Sequence, residues 1–369
     1  MKINLNNTDR QKLDDILSQR DENYEVSQLW NNFLQDNFDA LNKKGIEDLM
    51  DKEGLDEKTA VEEAFFNYLQ LDSADPVIEK MKEDTLFGCL TPLKEKAFLD
   101  QPFNHIPVKK VVLGPYQLTY NYFEPYELFN DNDTMADSEN NFAEKTHVSY
   151  FRSKVPYLML MQKSEVWMSI TPHEIHTMEK DIKNAKGKVL TLGLGLGYYA
   201  YEVSNKDDVT SVTIIEKDSK VIQLFEKNIL PYFPHKEKIH IIKQDAFLYF
   251  ERELQKEEYD YIFVDIYHTA EDALWMYLRF KSDEKKYHYK PCHYWIEESI
   301  LCLFRRYVLA IIEEYFQGMT EEDYQVVEDE ENKLFHDLFM ILKDREFNSI
   351  DDIISLLKND GLKELAKNF

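Results

Sequence analysis

Basic residues are scarce in this chain. Its 369 residues hold 44 lysines and arginines against 70 aspartates and glutamates, a formal charge of −26. Nucleic-acid binders need a basic stripe to neutralise phosphates. The nearest run here, Lys281 to Lys290, is broken up by acids and tyrosines. Nucleic acid and an anionic membrane surface are therefore unexpected as partners. The acidity reads either as a solvated surface that keeps the chain soluble or as a field that draws in a cationic substrate. Cysteine is scarce too: Cys89, Cys292 and Cys302 form no CxxC pair, which fits a reducing compartment without a disulfide framework. Residues 1–7 lack the apolar core of a signal peptide. No apolar run approaches the roughly 18 residues of a membrane helix, so a cytoplasmic location is expected.

With 43% apolar and 14% aromatic residues, the chain can still bury large cores, and its length suggests two or three domains. Residues 1–101 read as a helical N-terminal domain. Thr8 and Gln11 have capping-box spacing. Leu13, Ile16 and Leu17 keep a helical period, Trp30, Phe33, Leu34, Phe38 and Leu41 a second, and Val61, Ala64, Phe65 and Tyr68 a third. Residues 102–170 read as a β-hairpin region. Pro102, Pro107, Pro115 and Pro125 exclude a long helix there. The runs 108–113 and 117–123 pair across Gly114-Pro115, and 155–161 pairs with 165–170. Residues 130–141 read as a loop. This region would act as a substrate-facing lid or as a structural bridge.

Residues 171–285 carry the central unit. Thr171-Pro172-His173-Glu174 has the form of a capped helix start. Then strand and helix alternate: Val189–Leu192, the glycine turn Gly193-Leu-Gly195-Leu-Gly197, a helix, 208–215 ending in Glu216, a helix capped by Asp218, 238–242 followed by Asp245-Ala246, a helix, and Tyr259–Val264 ending in Asp265. This alternation predicts an α/β fold with a doubly wound parallel sheet, whose ligands bind at the carboxyl ends of the strands. Residues 286–369 read as a helical C-terminal extension, with Ile300, Phe304, Val308, Ile312 and Phe316 on one stripe. Only Tyr307–Ile312 offers itself as a further strand, inside that helical period.

The glycines allow a tight turn and close approach of a ligand to the backbone. Glu216 at the end of the second strand can take both hydroxyls of a ribose. The ligand is then a dinucleotide or an adenosyl sulfonium. Dinucleotide sites favour a third glycine where this chain has Tyr198, which turns the reading away from NAD. His288, Cys292 and His293 lack a fourth ligand and a defined metal spacing, so no metal is expected.

Residues 187–268 resemble the Rossmann-like domain of class I S-adenosylmethionine-dependent methyltransferases, and the region before them resembles the spermidine synthase branch. The resemblance implies S-adenosylmethionine as cofactor, with Thr191, Gly193, Gly195, Gly197, Glu216, Asp245, Ala246 and Asp265 lining its site. Thr191 stands where many methyltransferases carry an acid, so other groups must hold the amino-acid end of the cofactor. Polyamine synthases carry Asp-Ser-Ser-Asp-Pro after the fourth strand. This chain has Asp265-Ile-Tyr-His-Thr269, without the second aspartate and the proline. Of the Tyr-His-Glu-Met stretch in those enzymes, the sequence Ile175-His-Thr-Met178 keeps His176 and Met178.

The resulting expectation is a methyltransferase acting on a small molecule or a protein, with Asp265, Tyr267 and His268 as catalytic candidates and His268 as general base. The plainer reading of His268, and the one favoured, is a solvent-facing loop histidine. An aminopropyltransferase is the second reading, and an adenosyl-binding protein without turnover the third. A homodimer is compatible with all three.

Overall fold

The computed structural model describes residues 1–36, 41–72, 78–79, 82, 87–256, 258–325 and 329–369. It opens with helix α1, Asn7–Asp36. Asn6, rather than Thr8, starts it: its Oδ1 accepts the Asp9 amide at 3.0 Å. The two helical periods expected before residue 41 thus belong largely to one continuous helix, while Phe38 lies outside the described residues. Helices α2 (Lys43–Glu53) and α3 (Glu57–Tyr68) follow, capped by Asn42 and Asp56. Val26, Trp30 and Phe33 of α1 pack with Ile46, Val61 and Phe65 in a core of their own, whereas Leu13 and Ile16 at its other end join the main core. One helix therefore spans both cores.

The hairpin region forms a four-stranded antiparallel sheet. Its strands are β1 (Val111–Leu113), β2 (Tyr116–Phe123), β3 (Val155–Gln162) and β4 (Glu165–Ser169), in spatial order β4-β3-β2-β1. The expected loop over 130–141 is partly ordered, because Met135–Asp137 pairs with Ala143–Lys145.

Helix α4 (Pro172–Asn184) delivers the chain to the central sheet. Strand β5 (Gly187–Leu192) leads through the glycine turn to α5 (Tyr198–Ser204), and β6 (Val209–Glu216) to α6 (Ser219–Asn228). Strand β7 (Ile239–Lys243) precedes α7 (Ala246–Arg252), and β8 (Tyr261–Val264) precedes α8 (Ala270–Tyr287). Among the described residues a fifth strand, β9 (His293–Tyr294), completes the sheet in the order β7-β6-β5-β8-β9, every pair parallel. Val189–Leu192 and Tyr261–Val264 are buried at every position, as strands covered on both faces must be. Each fully buried Val, Leu, Ile or Phe contributes about 1.5–3 kcal/mol over an exposed one, so this stretch anchors the fold.

Two expectations are corrected here. The fifth strand is not Tyr307–Ile312, which lies inside α9 (Glu297–Phe316). It is the two-residue β9, which follows residue 285 and is too short to show an alternating pattern. The charged, aromatic run Lys281–Lys290, whose sequence reads as a linker, is mostly helix, since α8 runs on to Tyr287. Helices α10 (Glu330–Leu342), α11 (Ile350–Leu357) and α12 (Asn359–Ala366) close the chain. Its first and last parts meet where Lys2–Ile3 pairs in parallel with Glu346–Phe347. Among the described residues no helix is long and apolar enough to cross a membrane.

Candidate active site

Strand order reverses at β5, because the chain runs outward through β6 and β7 and then returns to lay β8 on the other side. A crevice opens at the carboxyl ends of strands at such a switch point. Leu192 and Val264 end paired, and the Asp265 amide donates to the Leu192 carbonyl at 2.8 Å. The turn after β5 and the acid after β8 are thereby side by side. A cavity of about 1030 Å³ lies over them.

The glycines divide the work. A Cβ on Gly193, at φ 102°, would fall 1.7 Å from the Asp265 carbonyl oxygen, and one on Gly197 2.3 Å from the Phe225 ring. Those two are needed for backbone and side-chain packing. Gly195 between them has nothing within 4 Å of its Cβ position, and it lines the cavity. It is the glycine that leaves room for a ligand. Thr191 also lines the cavity, but its hydroxyl donates to the Gly193 carbonyl at 3.1 Å, so it braces the turn.

Glu216, Asp245, Ala246 and Asp265 all face the same cavity. Glu216 accepts the Asp218 amide at 2.7 Å, and burial raises its pKa against the pull of nearby backbone amides. Asp245 caps α7 through the Leu248 amide at 3.1 Å. Asp265 is enclosed except toward the cavity. Burial, and then the charge of Glu216, push its pKa up to about 7.

The two other catalytic candidates are placed differently. Tyr267 lines the cavity, but its hydroxyl donates to the Trp295 carbonyl at 2.7 Å. The Trp295 indole N–H in turn donates to the Thr177 hydroxyl at 2.8 Å. This chain of bonds ties β8, β9 and α4 together beneath the cavity. His268 is exposed at the mouth, with its ring 4.4 Å from that of Trp167.

Trp167 comes from β4, and the hairpin contributes a whole wall of the cavity: Val166, Trp167, Met168, Ser169 and Tyr116. The Tyr116 hydroxyl donates to Asp218 at 2.7 Å, joining the hairpin sheet to the carboxyl end of β6. Burial and this carboxylate raise its pKa to about 12.

Glu174 is the site residue that sequence reasoning missed. The Thr171-x-x-Glu174 pattern accounted for it as half of a capping box, yet Thr171 makes no side-chain cap bond. Glu174 lines the cavity instead. Burial, and then the charge of Asp265, raise its pKa well above the ordinary carboxylate range. A signal was present: His173-Glu174 reproduces the middle of the Tyr-His-Glu-Met stretch that was matched instead to residues 175–178. There Met178 does reach the cavity, whereas His176 bonds the Asp131 carbonyl at 2.8 Å.

Six carboxylates thus line the cavity (Glu174, Glu216, Asp218, Asp245, Asp265 and Asp272) against one lysine, Lys217. Among the described residues no three histidine, cysteine or acidic side chains converge as a metal site.

Residues 170–286 match the family model described as spermine/spermidine synthase domain. No curated protein matches the chain. Among solved structures, it is similar to the spermidine synthase from Thermotoga maritima, with 16% identity and a TM-score of 0.28, over 42% of this chain and 59% of that one. It is also similar to a conserved hypothetical protein from Streptococcus pyogenes, with 20% identity and a TM-score of 0.20, over 22% of this chain and 50% of that one. The chain therefore spans 59% of the length of the first structure and 50% of the second.

Proposed function

We propose that the protein is an aminopropyltransferase, moving an aminopropyl group from decarboxylated S-adenosylmethionine to an amine. The observation that carries this reading is the acidity of the cavity, six carboxylates to one lysine. S-adenosylmethionine bears a carboxylate that such walls repel. The decarboxylated donor bears a sulfonium and an ammonium, and a diamine acceptor is also cationic, so both gain from the same field. The family match over residues 170–286 supports the same choice over methyl transfer.

The residues present suit the chemistry. Gly195 leaves open space beside the turn, and Glu216 can hold a ribose. The reaction is a displacement: an amine nitrogen attacks the carbon next to the sulfonium, a C–N bond forms, and the C–S bond breaks. The sulfur keeps the electron pair and leaves as neutral methylthioadenosine. The attacking nitrogen must first shed a proton, and Asp265, with a pKa near 7, is matched to accept it at neutral pH. Tyr267 then serves to position Asp265 through its tie to Trp295, and His268 with Trp167 flanks the entrance.

Methyl transfer stays as the competing reading because the second aspartate of the polyamine synthases is absent after β8, where Tyr267 and His268 stand. Incubation with decarboxylated S-adenosylmethionine and putrescine tests the choice. Accumulation of methylthioadenosine with a matching secondary amine is the expected result. Its absence, with S-adenosylhomocysteine formed from S-adenosylmethionine, would reverse the order of the two readings.

A further inference from the structure

We infer that Glu174 and Asp265 form a clamp for one primary ammonium group of the substrate, Glu174 supplying from α4 the carboxylate that the segment after β8 lacks. The inference rests on the proposed transfer to an amine and names which residues hold the cation.

Three observations lead to it. Both side chains line the cavity and are enclosed everywhere else. Neither has a hydrogen-bond or ion-pair partner among the described residues: burial and a neighbouring carboxylate are all that acts on their charge. Finally, the two come from different elements, Glu174 from the first turn of a helix and Asp265 from the residue just after β8. Buried carboxylates are ordinarily hydrogen-bonded or paired. A pair left with neither, facing space that a ligand can enter, is completed by a cation from outside. Two carboxylates without a third ligand are too few to cage a divalent metal. A primary ammonium, with three N–H donors, can bond both and still donate elsewhere.

The empty clamp has to share a proton, since two enclosed like charges do not ionise together. Binding an ammonium ionises both acids and expels that proton. The other charged or titratable groups lining the cavity are Tyr116 of the hairpin, Tyr198 and Tyr199 of α5, Glu216, Lys217 and Asp218 at the end of β6, Asp245 ahead of α7, and Tyr267, His268 and Asp272 beyond β8. His173 neighbours Glu174 on its own helix, and burial, partly offset by Asp131, lowers its pKa to about 4. It therefore stays neutral at pH 7.

Calorimetric titration with 1,4-diaminobutane at pH 7, in two buffers of different ionisation enthalpy, reads the expelled proton directly. The wild-type protein is expected to bind the diamine with net release of about one proton. In both Glu174→Gln and Asp265→Asn, affinity should fall about ten-fold or more, and the proton release should shrink toward zero. A far-ultraviolet circular dichroism spectrum matching the wild type confirms that each variant is folded. Diamine binding without proton release, unchanged release in Glu174→Gln, or competition by magnesium would overturn the clamp. Failure of the diamine to bind would also overturn it. In any of these cases, continued production of methylthioadenosine from the donor would leave the proposed transfer standing.

Discussion

Two clusters of charge largely withdrawn from bulk solvent are built on opposite rules. Around Lys281 every charge is paired. Its ammonium lies 3.5 Å from Glu284 and 3.8 Å from Glu297, with the Tyr294 ring 4.7 Å away. Glu284 also accepts from the Tyr294 hydroxyl at 2.6 Å and the Cys292 amide at 3.1 Å. Glu297 accepts from Tyr277 at 3.0 Å and Lys363 at 2.7 Å. Among the described residues, Glu174 and Asp265 have no such partners. A charge network complete in the folded chain ties α8, β9, α9 and α12 together and leaves nothing for a ligand to do. An incomplete one stores the need for a cation until substrate arrives. The contrast separates structure from function more sharply than burial does, because both clusters are buried.

The largest expected effect lies in the complete cluster. Lys281→Met leaves Glu284 and Glu297 short of their central cation and should cost about 3 kcal/mol of stability in chemical denaturation. Binding of methylthioadenosine to the folded protein should not change. If affinity fell as steeply as stability, the two clusters would not be separable. Next comes the incomplete cluster: Asp265→Asn should lower kcat about 100-fold, the loss of a general base, and remove the arm of the pH–rate profile near pH 7.

The third prediction concerns sign. Asp265 and Glu174 hold protons in the folded chain that the unfolded chain would release above about pH 4. Their contribution to stability is complete below that pH and is lost as pH rises, for Asp265 through about 7. The neutral amides Glu174→Gln and Asp265→Asn should therefore raise Tm at pH 8, by about 2–4 °C per kcal/mol gained, and leave it unchanged near pH 4. A lowered Tm at pH 8 would mean that the acids are paired after all. The smallest effect is at the entrance. Trp167→Ala removes the ring that meets His268 and should raise the acceptor KM about 2- to 10-fold, with kcat little altered.

The sequence made parts of the cavity visible and the paired cluster not at all, for identifiable reasons. The glycine turn stands out because an apolar strand runs directly into it, and Glu216 and Asp265 because each ends such a strand. Strand β9 did not: two residues, His293 and Tyr294, carry no period, and their place in the sheet depends on pairing with Phe263 and Val264. Lys281, Asp283 and Glu284 read as solvated charges, although all three are buried on α8. Burial there is set by α9 and α12, which come later in the chain. Glu174 was hidden by a local rule that explained it adequately. The hairpin's part in the cavity wall was legible only as one of two possibilities, because nothing in a strand pattern says which face another domain covers.

This acidic cavity should select the more cationic adenosyl donor. Offering equal amounts of S-adenosylmethionine and its decarboxylated form together with 1,4-diaminobutane, and resolving the nucleoside products by mass spectrometry, tests it most directly. Methylthioadenosine should be the dominant product, with little S-adenosylhomocysteine. Predominant S-adenosylhomocysteine would contradict it.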